Sequence, residues 1–272
     1  MDGGRILLTG AAGFVGRAVM ARATDHGATA VPFEGDVRDD AAVSRSVADT
    51  APDAVVHLAS RRPTPTDPWA ALADEVAMAG NLLRALRASA PEATLLVAGS
   101  AAQYGRALPH PVDESAPLSP LSAYGAVKCA VERSCTDAVL NGGTRVIWAR
   151  TFNCLGPGQP TSTPAADWAH QIAQAELSGG GVVRTGDVSV VRDFLDVRDV
   201  ADAYLALLRS DLAGPVNVGS GTPTPLHELA ALFAERATVD VTLERDPALG
   251  RSDDPPYVVA DVARLTAATG WH

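Results

Sequence analysis

Lysine is all but missing from this chain: Lys128 stands alone against 21 arginines among 272 residues. Cysteine is scarce as well. Cys129, Cys135 and Cys154 are odd in number, lack a Cys-x-x-Cys spacing and have no histidine cluster beside them, which excludes a disulfide framework and predicts no metal site. They read as small apolar fillers. No apolar run reaches membrane-spanning length, and Arg5-Ile6-Leu7-Leu8 near the start reads as a short strand rather than a cleavable leader, so a cytoplasmic protein is expected. Positive charge is in deficit too. A formal net charge of −10 excludes a general nucleic-acid or anionic-membrane binder, and any anionic ligand has to be held by local arginines. What is present, 47% hydrophobic and 20% charged residues, is ordinary for a globular enzyme with a sizeable core.

Through the first 150 residues, apolar runs of strand length alternate with helix-period segments. Strands are predicted near 5–9, 29–33, 54–58, 94–98 and 145–149, and crossover helices over 13–26, 40–50, 69–88 and 123–140. That is an α/β chain with a doubly wound parallel (Rossmann) sheet over residues 1–152. From 153 to 272 the pattern loosens into Pro/Gly-rich stretches around a short helix near 165–177, which reads as a smaller C-terminal substrate-binding lobe. Short strands near 191–197 and 216–218 are expected to return to the sheet edge.

Gly10, Gly13 and Gly16 follow the first strand and open the first helix, where glycines let backbone approach a pyrophosphate at a helix N-terminus. Downstream, Asp36 sits in a loop suited to an adenine ring, with a helix N-terminal acid as the alternative. His57-Leu58-Ala59-Ser60 ends the third strand at the ligand-binding edge, and His57 itself reads as a core histidine. Glu34 could accept hydrogen bonds from an adenosine ribose and favour NAD, whereas Arg17 or Arg38 could meet the 2′-phosphate of NADP; the reading places NADP ahead of NAD.

The solitary lysine has a partner. Tyr124 and Lys128, four residues apart, share a helix face, and a nearby cation lowers a phenol's pKa by about 1–3 units, which makes it a usable proton carrier. Ser100, just past the fourth strand, can hydrogen-bond a substrate oxygen, although a serine there is more often a turn or cap residue. Together Ser100, Tyr124 and Lys128 form a hydride-transfer constellation.

These residues, with Arg150-Thr151-Phe152-Asn153, Gly156–Gln159, Arg192-Asp193-Phe194, Asp196–Val200 and Asn217–Gly221, resemble the extended short-chain dehydrogenase/reductases of the NAD-dependent epimerase/dehydratase family along essentially the whole chain. Within it, the runs 150–159 and 192–200 and the tail Arg251–Pro255 are most similar to GDP-4-keto-6-deoxy-mannose reductases and related nucleotide-sugar 4-ketoreductases. The resemblance extends the cofactor site to Phe14, Val15, Val37, Leu58, Ala59, Ser60 and Phe152. It implies that Arg192 and Arg251 clamp the diphosphate of a nucleotide sugar, that Asn153 bonds the sugar or its phosphate, and that Tyr104 and Gln103 approach the sugar ring, with a buried tyrosine beside Gly105 as the alternative for Tyr104. A structural salt bridge is the alternative for each arginine, with Asp193 and Asp196 close enough in sequence to serve Arg192. Trp168, His170 and Gln171 lie on the helix expected to cover the nucleotide, with core packing the stronger role for Trp168.

Ser100 is followed by Ala101-Ala102-Gln103-Tyr104-Gly105, without the acidic pair of related dehydratases, so dehydration is not expected. Glu75 takes a place where the family commonly has an asparagine that fixes the lysine through water; a carboxylate there favours a charged Lys128 and a part in the proton path, and a solvated helix face is the alternative. The leading expectation is reduction of a nucleotide-linked 4-keto-6-deoxyhexose. A 4-epimerase with tightly bound NAD, a ketoreductase on a natural-product carbonyl and a non-catalytic cofactor sensor are the alternatives. The resemblance also implies a homodimer through the helices at 69–88 and 123–140.

Overall fold

Six strands make the central sheet of the molecule, and the four inner ones are apolar runs buried on both faces. The computed structural model describes residues 3–61, 64, 67–106, 111–140, 143–249 and 255–272. In chain order the first half comprises β1 (Gly4–Thr9), α1 (Phe14–Arg22), β2 (Ala28–Pro32), α2 (Asp40–Thr50), β3 (Ala54–His57), α3 (Pro68–Ser89), β4 (Thr94–Ala98), α4 (Ala123–Leu140) and β5 (Val146–Thr151). The second half comprises β6 (Asn153–Leu155), α5 (Pro164–Ser178), β7 (Gly181–Thr185), β8 (Val191–Arg192), β9 (Phe194–Asp196), α6 (Val197–Arg209), β10 (Gly214–Val218), β11 (Thr224–Pro225), α7 (Leu226–Glu235), β12 (Val241–Arg245), β13 (Tyr257–Val258) and α8 (Ala263–Thr269).

The main sheet is wholly parallel, in the order β2-β1-β3-β4-β5-β10. Alternate residues along its strands feed two cores, as the two-residue period of a strand requires. Ile6, Leu8, Val56, Leu96 and Ile147 face Val200, Tyr204 and Leu207 of α6. Leu7, Val55, Leu95, Val97 and Trp148 face Leu82 and Leu86 of α3 with Val127 and Val131 of α4. Between β1 and β3 the direction of winding reverses, so a crevice opens beyond the carboxyl ends of those two strands.

Two expectations are corrected. Residues 191–197 do not return to the main sheet. Arg192 pairs in a small sheet with β11 and β13, Phe194–Asp196 pair with β6, and only β10, covering the strand expected at 216–218, joins the edge beside β5. The helix expected over 13–26 stops at Arg22; a 3-10 turn over Thr24–His26 and Gly27, with φ of 67°, close it before β2. The sequence reading also has no counterpart of α6, whose N-cap Asp196 accepts the Arg198 N–H and whose buried face runs Val197, Val200, Ala201, Tyr204, Leu205, Leu208.

The smaller lobe packs α5 and α7 against β7 and β12 around Trp168, Ile172, Val183 and Leu229. Trp168 is buried edge-on to Phe233, which gives it the packing role rather than a nucleotide contact. Gln171 bonds Asp167 and both backbone groups of Arg184, tying α5 to β7, so it does not cover a ligand either.

Candidate active site

The glycine turn occupies the crevice. Gly10, at φ of +71°, presses so tightly on the β3 exit that a Cβ would lie 2.6 Å from the Ala59 nitrogen. Gly16 is buried, and its Cβ would fall 2.2 Å from the Gly10 carbonyl oxygen, so its part is to seat α1 on the turn rather than to touch a ligand. At the helix start Gly13 is the N-cap with no side-chain hydrogen bond, and the first turn carries no acid. Unsatisfied N–H groups and a positive helix end fit a dinucleotide pyrophosphate. Phe14, Val15, Leu58 and Ala59 are partly exposed around this opening and Ser60 is exposed. Val37 and the Phe152 ring lie in the core, and the Phe152 N–H is bonded to the Val218 carbonyl.

Asp36 is folded back on Arg38, whose fork bonds both carboxylate oxygens and pulls the acid down to about 2. Arg38 also reaches Asp74. Arg17 bonds the carbonyls of Ala12 and Gly158, bridging the glycine turn to the second half of the chain. The two arginines considered for a 2′-phosphate are thus both engaged by protein groups.

His57 closes the floor. Its Nδ1 lies 2.7 Å from the Thr9 hydroxyl, and that oxygen also accepts the Leu58 and Ala59 N–H groups. Burial, reinforced by the charge of Lys128 and opposed by Glu75, pushes the imidazole down to about 4. It is the core histidine the sequence suggests. Below pH 6.5 the unfolded chain takes up a proton that the folded one refuses until about pH 4, so stability falls as pH drops through that window. At about 1.4 kcal/mol per unit, His57→Gln is expected to reduce the loss of unfolding free energy between pH 7 and 4 by about 3 kcal/mol. Urea titrations of both proteins at the two pH values measure it, and equal losses would refute it.

Beyond β4 the chain turns at Ser100, which heads a reciprocal cap: its Oγ accepts the Ala102 N–H, and the Gln103 side chain accepts the Ser100 N–H. The hydroxyl hydrogen of Ser100 remains available to a substrate oxygen. Gln103 is fully buried, and its amide donates to Glu132 at 2.7 Å; it holds the Ser100 turn from beneath and does not reach a sugar. Glu132 in turn forms a buried ion pair with Arg150, Arg150 donates to the Tyr104 hydroxyl, and Tyr104 donates to Asn217. Tyr104 is fully buried, with burial as the main cause that pushes its phenol up to about 12, so it belongs to this scaffold and not to the ligand surface.

Tyr124 and Lys128 lie in the first turns of α4, with the ammonium 5.9 Å from the centre of the phenol ring. What brings α4 to the Ser100 turn is Gly125, a position the sequence reading passes over: a Cβ there would lie 2.3 Å from the Ala102 carbonyl oxygen. Its only signal is a glycine next to the tyrosine in a helix. Gly125→Ala must push α4 away from backbone that cannot yield. An ångström of displacement in a reacting group can cost about 100-fold, so kcat should fall by one to two orders of magnitude, with about 1–3 kcal/mol lost in a denaturant titration. Unaltered kcat would show that the close approach is dispensable.

Lys128, though buried, is paired: its Nζ donates to Glu75 Oε2 at 2.9 Å, and Glu75 Oε1 accepts the Arg61 N–H at 2.6 Å. With both side chains below one-tenth exposed, Glu75 is not on a solvated helix face.

On the substrate side, Asn153 is exposed and uses its amide N–H on the Asp193 carbonyl. Arg192 is partly buried and donates to its own neighbour, the Val191 carbonyl. Asp193 accepts from Ser220, Gly221 and Ala260, pinning the loop after β10, while Asp196 caps α6 and pairs with Arg198. Arg251 lies outside the described residues. Among the described residues no helix is long and apolar enough to cross a membrane.

The pattern of the NAD dependent epimerase/dehydratase family matches residues 6–219. GDP-6-deoxy-D-mannose reductase of Pseudomonas aeruginosa is 36% identical over 98% of this chain and 91% of its own length. A UDP-glucose 4-epimerase of Azospirillum brasilense is 31% identical over 98% of this chain and 86% of its own. Among solved structures, RMD from Pseudomonas aeruginosa complexed with NADPH superposes with a TM-score of 0.88 at 33% identity, covering 99% of this chain and 92% of that one. The UDP-glucose 4-epimerase of Thermus thermophilus in complex with NAD does so with a TM-score of 0.82 at 27% identity, covering 98% and 93%. The chain therefore belongs to the NAD dependent epimerase/dehydratase family, as an NAD(P)-dependent enzyme of the oxidoreductase type.

Proposed function

We propose that the chain reduces the 4-keto group of a nucleotide-linked 4-keto-6-deoxyhexose, with Tyr124 as proton donor. The observation that carries this reading is the turn after Ser100. Ala101 and Ala102 bring no acid, and Gln103 faces inward, so the segment provides for carbonyl reduction and not for elimination of water. The likeness to a GDP-6-deoxy-D-mannose reductase supports the substrate class.

When bound, the reduced nicotinamide supplies the hydride that adds to the keto carbon. Tyr124 gives its hydroxyl proton to the carbonyl oxygen, so that carbonyl, hydride and proton become an alcohol and the phenolate is left behind. The Ser100 hydroxyl, its oxygen held by the Ala102 N–H, donates to the same oxygen and orients it. Lys128, beside the phenol ring, binds the nicotinamide ribose. Gly10, Gly13 and the start of α1 hold the pyrophosphate. Asn153, Arg192 and Arg251 form the proposed sugar and diphosphate contacts, since an acidic protein needs guanidinium forks for a dianionic group.

Mixing the purified enzyme with nucleotide 4-keto-6-deoxyhexoses and NADPH or NADH tests the reading; stoichiometric loss of 340 nm absorbance with formation of the 6-deoxyhexose is the expected result. The second reading, a 4-epimerase, is favoured by the epimerase relative. Tightly bound NAD in the purified protein, and sugar interconversion with no consumption of cofactor, would establish it instead. The proposal includes a cytoplasmic homodimer through α3 and α4, where Trp69 is 76% exposed. Sedimentation velocity of the wild type beside Trp69→Arg checks the assembly.

A further inference from the structure

A buried lysine is expensive unless its charge is met, and here it is met by a full carboxylate. Lys128 Nζ and Glu75 Oε2 are 2.9 Å apart, with 7% and 2% of the two side chains exposed. The other charged and titratable groups around this pair come from every neighbouring element. Tyr124 faces it from the same helix, Tyr204 of α6 interacts in turn with that phenol, and His57 at the end of β3 responds to both charges. The loop after β3 contributes the Arg61 N–H, while the Arg61 guanidinium turns outward to Asp74.

A lone ammonium near a phenol stabilises the phenolate; an ammonium joined to a carboxylate is a dipole, and its field at the phenol is much reduced. We propose that Glu75 is a positioning residue that restrains the pull of Lys128 on the Tyr124 proton, keeping the phenol protonated and the site set for proton donation. The inference rests on Tyr124 being the proton donor. It accounts for a carboxylate at this position in functional terms: a reductase starts its step from the phenol, whereas an alcohol oxidation starts from the phenolate. Glu75 does so without touching the substrate, by fixing the ammonium in place and cancelling part of its charge.

The test is a titration of Tyr124 in the free protein, which needs no sugar and so fails or succeeds independently of the substrate assignment. Absorbance at 295 nm is recorded across pH jumps for each protein and for its Tyr124→Phe counterpart, and the difference isolates this phenol. In Glu75→Gln the midpoint should move down by about one unit or more as the ammonium goes uncompensated. Glu75→Asp, which keeps the charge, should restore the wild-type midpoint. If Glu75→Gln does not fold, the double replacement Glu75→Gln with Lys128→Met removes both charges, a change that buried pairs often tolerate. Its midpoint should stay within about half a unit of the wild type, because the pair it removes is close to neutral. An unmoved or raised midpoint in Glu75→Gln, or a rise of a unit or more in the double variant, would overturn the proposal. In turnover, the alkaline fall of kcat/KM for carbonyl reduction should shift down in Glu75→Gln by the same amount as the titration midpoint.

Discussion

Tyr124→Phe is expected to lower kcat for carbonyl reduction by about 10²–10⁴-fold, the contribution typical of a positioned general acid, while cofactor affinity changes little. The substitution keeps the aromatic ring on α4, one turn before Lys128, and removes the proton. The buried phenols nearby cannot substitute. Tyr104 is fully enclosed and bonded to Asn217, and burial drives the Tyr204 phenol far above its ordinary value while its hydroxyl pairs with Thr151. Nor can the cysteine thiols, since burial pushes Cys154 up to about 12 and Cys135 up to about 11. Lys128→Arg is the companion change. It keeps the charge, but a planar guanidinium has to enter a space shaped for one ammonium bonded to Glu75, and most activity should be lost with it. Steady-state rates with separately measured cofactor Kd values decide the matter. Turnover above a tenth of wild type in Tyr124→Phe would remove Tyr124 from the reaction.

The sheet and its crossover helices are legible in the sequence because a parallel strand covered on both faces is a bare apolar run, as in Ala54-Val55-Val56, and such runs punctuate the first 150 residues. The Tyr124/Lys128 pair is legible because four residues of helix dictate a shared face. Other features turn on distances that residue order does not encode. Gln103 looks like a ligand residue when counted from Ser100, yet its carboxamide points inward to Glu132, 29 residues along the chain. Asp36 looks open to an adenine until Arg38, two residues on, closes over it. Gly125 offers no more than a glycine beside the tyrosine, for the need for it arises only where α4 meets the Ala102 carbonyl. The helix α6 is obscured in another way: it follows directly on the short strand β9, Phe194-Leu195-Asp196, so strand and helix signals merge across 191–200.

Glu132→Ala should destabilise the fold by about 3–5 kcal/mol, the usual consequence of leaving one member of a buried ion pair alone. Arg150, 4% exposed, would keep only the Tyr104 hydroxyl and the Glu114 carbonyl as acceptors, and its charge would be uncompensated in the core. The effect should also reach the reaction. Glu132 is the acceptor that orients Gln103, and Gln103 is the acceptor that holds the Ser100 N–H, so loss of the carboxylate frees the turn that aims the Ser100 hydroxyl. Urea unfolding measures the first consequence, and kcat at a temperature where the variant remains folded measures the second. The two separate in the double variant Glu132→Leu with Arg150→Met. Replacing a buried pair by apolar side chains of similar size is often neutral for stability, so most of the unfolding free energy should return. The rate should not, because Gln103 still lacks its partner. If stability and rate recover together, the network is a scaffold alone; if only stability does, Glu132 governs the geometry of Ser100 from beneath it.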